Sequence, residues 1–150
     1  MVEAIMKHAP TGDVAKVFEI YPPNIRRKLL APRQRILATA AATNGVGEIE
    51  ETLKWDEPAY FTRSKSGSMI RLGWKRREPS PYALYVNCQT NLVETFRQMF
   101  PKGLTFESNR AIVFDAANAL PLDQVAICIA LALTYHQRKA SREGPALNVP

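Results

Sequence analysis

Glu51-Thr-Leu-Lys-Trp-Asp-Glu-Pro-Ala-Tyr-Phe61, Met69-Ile-Arg-Leu-Gly-Trp-Lys75 and Tyr82-Ala-Leu-Tyr-Val-Asn-Cys88 follow one another in the middle of the chain, and their period decides the fold. Leu53 and Trp55 alternate with Thr52 and Lys54, and Ala59 and Phe61 alternate with Tyr60 and Thr62, as half-buried strands do. Ile70, Leu72 and Trp74 share one face of the next strand, with Met69, Arg71, Gly73 and Lys75 on the other. In the strand from Tyr82, Leu84 and Val86 are the inward pair. Asp56-Glu57-Pro58 reads as a turn or bulge, Arg63 to Ser68 as a hairpin loop, and Arg76 to Pro81 as a second loop. Short connections between period-two segments predict an antiparallel sheet.

Outward from this centre the period changes to that of helices. Val14, Val17, Phe18 and Tyr21 predict a short helix over Asp13 to Tyr21, with Thr11 or Asp13 placed to cap it. Pro22-Pro23 ends it and presets a second helix that turns Ile25, Leu29, Ile36, Leu37 and Ala40 inward, with a kink or short break expected near Ala31 because of Pro32. Asn44-Gly-Val-Gly47 closes the helical region. Past the sheet centre, Thr90 caps a helix whose apolar stripe is Leu92, Val93, Phe96, Met99 and Phe100. Leu104 to Glu107 and Ala111 to Phe114 predict an edge hairpin. A last helix runs from Leu122 to about Lys139, apolar nearly all round, which suits burial against the sheet or a second subunit. The expected fold is α+β, a single domain with an antiparallel sheet of 5–6 strands and helices from both ends of the chain on one face. Its core spans residues 14–139, followed by a flexible tail over 140–150.

The 150 residues suit one domain with a core that needs neither disulfides nor metal. Hydrophobic content of 46% and charged content of 23% exclude disordered and fibrous classes. Val125 to Leu133 is the longest apolar run, far short of a bilayer span, and no basic-then-apolar leader opens the chain, so a cytoplasmic location is expected. Cys88 and Cys128 both lie in apolar segments and are expected to be reduced and buried. Twenty Lys plus Arg against 14 Asp plus Glu give a net charge of +6, which permits attraction to anions. The basic residues, Arg26 to Arg35, Lys75 to Arg77 and Arg138 to Arg142, are spread as solvated faces would be.

Several of these segments together, Glu-Thr-Leu-Lys-Trp-Asp-Glu-Pro-Ala-Tyr, Ile-Arg-Leu-Gly-Trp-Lys, Asn-Cys-Gln-Thr-Asn-Leu-Val-Glu-Thr-Phe, Asn-Arg-Ala-Ile-Val-Phe and Cys-Ile-Ala-Leu-Ala-Leu-Thr-Tyr-His, resemble the YdhG-like family of bacterial domains over about Val14 to Lys139. The resemblance implies an α+β fold with helices on one side of an antiparallel sheet, and it carries no catalytic residue onto this chain. Some of those relatives are called intracellular iron chaperones by analogy with frataxin. Asp56 stands where such relatives commonly have glycine, and Pro32 interrupts a helix that continues in them.

His8 and His136 are the only histidines, and neither has a second ligand at zinc spacing. An iron site would need hard oxygen ligands, for which Glu48, Glu50, Glu51, Asp56 and Glu57 form the best acidic cluster. No nucleophile elbow or phosphate loop is present. If Leu53, Trp55, Ile70, Leu72, Trp74, Leu84 and Val86 face the helices, alternation sends Lys54, Tyr60, Arg71, Lys75, Tyr85 and Asn87 to the opposite face. Basic and aromatic residues together suit single-stranded nucleic acid or another anion, with bases stacked on rings and phosphates on cations. Trp55, Trp74 and His136 are the candidate lining of a pocket. The expected function is therefore a non-enzymatic binding or interaction domain. Iron binding at the acidic cluster and nucleic-acid or anion binding on the sheet face are the alternatives, and the apolar C-terminal helix is a candidate homodimer contact.

Overall fold

A computed structural model describes residues 9–76 and 81–148 of the chain; His8 and Arg77 lie outside them. Five helices and six strands are formed by the described residues: α1 (Gly12–Ile20), α2 (Pro23–Ala42), β1 (Ile49–Lys54), β2 (Glu57–Thr62), β3 (Ile70–Trp74), β4 (Pro81–Val86), α3 (Leu92–Met99), β5 (Thr105–Glu107), β6 (Ala111–Asp115), α4 (Leu122–Leu133) and α5 (Tyr135–Asn148). The strands make one antiparallel sheet in the order β1-β2-β3-β4-β6-β5. The α+β class, the strand number and the edge hairpin agree with the sequence pattern.

Register fixes the two faces of the sheet. Tyr60 pairs with Ile70, Ile70 with Val86, Leu72 with Leu84, Leu84 with Ile112 and Ile112 with Phe106, so all of these share the helix-covered face. Into it pack Phe18 of α1, Ile25, Leu29 and Ile36 of α2, Phe96 of α3, and Val125, Ile129 and Leu133 of α4, all buried. Burying a side chain of this size is worth roughly 1.5–3 kcal/mol, which makes this face the main source of stability.

The β1–β2 connection is a two-residue turn of Trp55 and Asp56, with φ of 52° and 61°, closed by the Lys54–Glu57 pair. Two positive φ values define a type I′ hairpin, whose twist matches that of its strands. The predicted turn at Asp56-Glu57-Pro58 is thus one residue too long, and the error inverts the parity of β2. Tyr60, expected on the open face, is fully buried on the helix face, and Trp55, expected in the core, is 76% exposed. The φ at Asp56 is one that glycine adopts without strain.

Three further local features differ from the sequence reading. Helix α2 continues through Pro32, so the short break offered as one outcome there is absent. Helix α3 leaves Met99 exposed although it was placed in the apolar stripe. Cys88 is exposed beyond the end of β4, while Cys128 is buried as expected.

The predicted last helix is broken at Thr134, where the β2–β3 loop inserts into it. An unbroken α-helix would bond the amides of His136 and Gln137 to the carbonyls of Ala132 and Leu133. Instead the Ser68 amide donates to the Ala132 carbonyl at 2.9 Å, the Ser66 hydroxyl donates to that of Leu133 at 3.0 Å, and the Gln137 amide donates to the Ser66 carbonyl at 2.9 Å. Such an insertion bends a helix because its donors and acceptors find other partners. A Cβ at Gly67 would overlap the Leu133 backbone, so the loop can approach this closely only with glycine there. Beyond the break, α5 is helical to Asn148.

Candidate ligand-binding face

Side chains opposite the helices come from the alternate residues of each strand. Arg71 on β3 lies between Ala59 on β2 and Tyr85 on β4. Its guanidinium carbon is 4.3 Å from the centroid of Tyr85 and 5.1 Å from that of Trp55, and its Nη1 donates to Glu57 Oε1. Glu57 passes over Gly73, where a Cβ would collide with the carboxylate. Burial pushes the Glu57 carboxyl above its ordinary range, outweighing the opposite pull of Arg71, Lys75 and Arg76. Arg71 Nε is buried without a hydrogen-bond partner among the described residues.

Lys75, just past β3, donates from Nζ to Glu107 Oε1 on β5 at 2.9 Å, with the ammonium 5.7 Å from the Tyr85 centroid. That bridge crosses β4 and β6. Three strand spacings of about 4.8 Å separate β3 from β5, a span that two side chains close only where the sheet curls over this face. Arg71 and Lys75 are consequently half-buried and charge-compensated at the centre.

Toward β1 the face becomes more apolar. A shallow groove of about 540 Å³ is lined by Leu53, Lys54, Trp55, Phe61, Met69 and Asn87. Lys54 Nζ lies 5.8 Å from the Phe61 centroid, and no carboxylate of the described residues pairs with it. The groove thus has an exposed indole at one end, an ammonium beside it and a carboxamide opposite. Five of the six residues expected to form a binding surface do share this face: Lys54, Arg71, Lys75, Tyr85 and Asn87. Tyr60 does not.

On the helix face, Tyr60 belongs to a different constellation. Its hydroxyl donates to Glu51 Oε2 at 2.7 Å, and Arg33 of α2 donates to the same carboxylate from Nε at 2.6 Å and from Nη2 at 3.0 Å. Arg33 is 4% exposed, although the sequence reading placed it on a solvated helix face. Burial alone would ease its proton off, but the Glu51 hydrogen bond and charge outweigh this and hold its pKa above the ordinary value. Arg26, likewise expected in solvent, donates to the carbonyls of Phe18, Glu19 and Tyr21 and places its charge at the C-terminal end of α1.

The acidic residues proposed as metal ligands are dispersed. Glu48 and Glu50 pair with Arg63, Glu51 turns inward to Arg33, Glu57 lies on the open face with Arg71, and Asp56 is in the turn. Among the described residues no three His, Cys, Asp or Glu come together. The three candidate pocket residues also separate. Trp55 is in the β1–β2 turn, while Trp74 packs edge-on against Tyr21 on the helix face, 6.1 Å between centroids. His136 is exposed beside Tyr135 near the β2–β3 loop, at the other end of β2. On α4, the stripe Val125, Cys128, Ile129, Ala132 and Leu133 is buried within the domain, which leaves Ile127 as its exposed large apolar residue. No described helix is long and apolar enough to cross a membrane.

Compared with protein-family models, curated proteins and solved structures, the chain matches none.

Proposed function

We propose that the protein is a binding module that holds its ligand on the open face of the sheet, with Trp55 as the stacking surface and Lys54 as the contact for an anionic group. The observation that carries this reading is the Trp55 indole, 76% exposed yet propped against the Arg71 guanidinium beside an apolar groove. An aromatic ring held out to solvent by a cation gains little for folding, whereas base-on-aromatic stacking is worth about 1–3 kcal/mol per base. The ligand class that fits is single-stranded nucleic acid, with a base on Trp55, a phosphate at Lys54 and the Asn87 carboxamide within the groove. The cations at the centre are already compensated by Glu57 and Glu107, so few phosphates are contacted and the salt dependence is shallow. This role suits the cytoplasm.

Fluorescence tests it. In a Trp74→Phe variant the only remaining indole is Trp55. A short single-stranded oligonucleotide should quench it saturably, Lys54→Ala should weaken binding several-fold, and a Trp55→Ala chain should lose binding in an electrophoretic assay. Absence of quenching at low salt would refute the reading. Iron binding has less support, since Glu48, Glu50, Glu51 and Glu57 already hold arginine partners. Calorimetric heats with Fe(II) that vanish on replacing Glu48 and Glu50 would revive it.

A further inference from the structure

Strand β1 is an edge of the sheet, and among the described residues it pairs with β2 alone. The type I′ turn closes on Lys54 and Glu57, so Lys54, Thr52 and Glu50 direct their amides and carbonyls at β2. Ile49, Glu51 and Leu53 therefore direct theirs outward. No described residue bonds to those outward groups. An edge of this kind is a template for another strand unless something blocks it.

The sequence of that edge is complementary to itself. We infer that β1 pairs antiparallel with β1 of a second copy about a two-fold axis at Thr52, so that Glu50 of each copy faces Lys54 of the other and the two six-stranded sheets become continuous. In this register Glu51 and Leu53 of the two copies exchange their outward amide and carbonyl bonds, as parity requires. Thr52 meets Thr52 across the axis as a close, non-hydrogen-bonded pair, which β-branched residues fill well. Glu50 and Lys54 lie on the open face, both exposed, so their side chains are placed to meet without rearranging the core. Other even registers waste this pattern. Centring on Glu50 sets like charges opposite each other, centring on Leu53 places Lys54 against Thr52, and centring on Glu51 matches Lys54 with Glu48 but leaves Glu50 against Thr52. Only the Thr52-centred pairing satisfies both charges twice, because an isologous interface repeats each contact. It would also put two Trp55 grooves on one continuous face, where each Lys54 ammonium is shared between Glu50 of the second copy and the anionic group of the ligand.

The charge pattern supplies its own test, measured by sedimentation of the intact chain with circular dichroism to confirm folding. Wild-type protein should be a dimer. Glu50→Lys and Lys54→Glu should each weaken dimerisation on the order of tenfold, since two attractions become two repulsions. The double variant Glu50→Lys/Lys54→Glu should recover the dimer, and mixing the two single variants should give a heterodimer tighter than either homodimer. A wild-type monomer at all concentrations overturns the inference. So do single variants that dimerise as tightly as wild type, which would place the interface elsewhere, for instance at Ile127 of α4. A natively folded double variant that stays monomeric overturns it as well.

Discussion

Arg33 donates two hydrogen bonds to the carboxylate of Glu51, and a third comes from the fully buried hydroxyl of Tyr60. Taking two charges out of water costs several kcal/mol per ion, and only close geometry with every lone pair engaged offsets it. The constellation is therefore asymmetric. Glu51→Gln should destabilise by about 3 kcal/mol in urea unfolding, because it strands the Arg33 guanidinium and removes the charge that Tyr60 donates to. Replacing all three polar groups, Arg33→Met and Glu51→Leu with Tyr60→Phe so that no buried hydroxyl is left without an acceptor, should recover most of the loss. A triple variant no more stable than Glu51→Gln would show that the constellation itself, not an abandoned charge, accounts for the effect. Nothing in the linear sequence marks Arg33 among its neighbours Arg26, Arg27, Lys28 and Arg35. Its role becomes visible only when a helix residue is set against alternation in a strand, and that alternation was itself misassigned.

At the scale of elements, one turn decided how much of the site was legible. Period two is unambiguous in β3, and with Leu84 and Val86 as the inward pair of β4 it places Arg71, Lys75, Tyr85 and Asn87 on the open face, where the register puts them. Strand β2 has weak alternation, since Pro58, Ala59 and Tyr60 are all buried. Its parity therefore hung on the turn length before it. A turn of Trp-Asp lacks the Asn-Gly signature of type I′ hairpins, so the sequence hides it, and extending the alternation of Leu53 by one more step places Trp55 in the core. The break between α4 and α5 was hidden for a different reason. It is made by serines of a distant loop, and Thr134 carries no helix-ending signal of its own. The strength of that junction is measurable. Gly67→Ala forces a methyl into the Leu133 backbone and should cost at least about 2 kcal/mol in urea unfolding, whereas Ser66→Ala, which leaves the buried Leu133 carbonyl without its hydroxyl donor, should cost about 1–3 kcal/mol. If the loop were merely a solvated hairpin, both changes would fall within about 0.5 kcal/mol of wild type.

Over the whole molecule, the core keeps four ionisable groups, Tyr21, Tyr60, Tyr82 and Cys128, neutral. Burial pushes the Tyr21 hydroxyl to about 12, helped by the charge of Glu57, and pushes Tyr82 to about 12, helped by Asp115. Burial raises the Cys128 thiol to about 12, and it raises Tyr60 well above 10.0 together with Glu51. In the unfolded chain these groups return to 10.0 for tyrosine and 9.0 for cysteine. Between the unfolded and folded values the native state binds more protons than the unfolded state, so stability falls as pH rises. The stabilisation is complete below about pH 9 and is lost through pH 12, each group contributing a slope of up to about 1.4 kcal/mol per pH unit within its own window. Because all four sit around one core, they cannot ionise one at a time without opening it. Alkaline titration should therefore show a cooperative loss of near-ultraviolet circular dichroism, with the tyrosinate absorbance of the buried rings rising in step with it rather than ahead of it. Tyr82→Phe should make the decline with pH shallower, since it removes one of the protons released on unfolding. Full tyrosinate absorbance over an intact native dichroism signal would mean that these hydroxyls reach water in the folded state, and the packing of α1, β2 and β4 around them would have to be looser than their burial indicates.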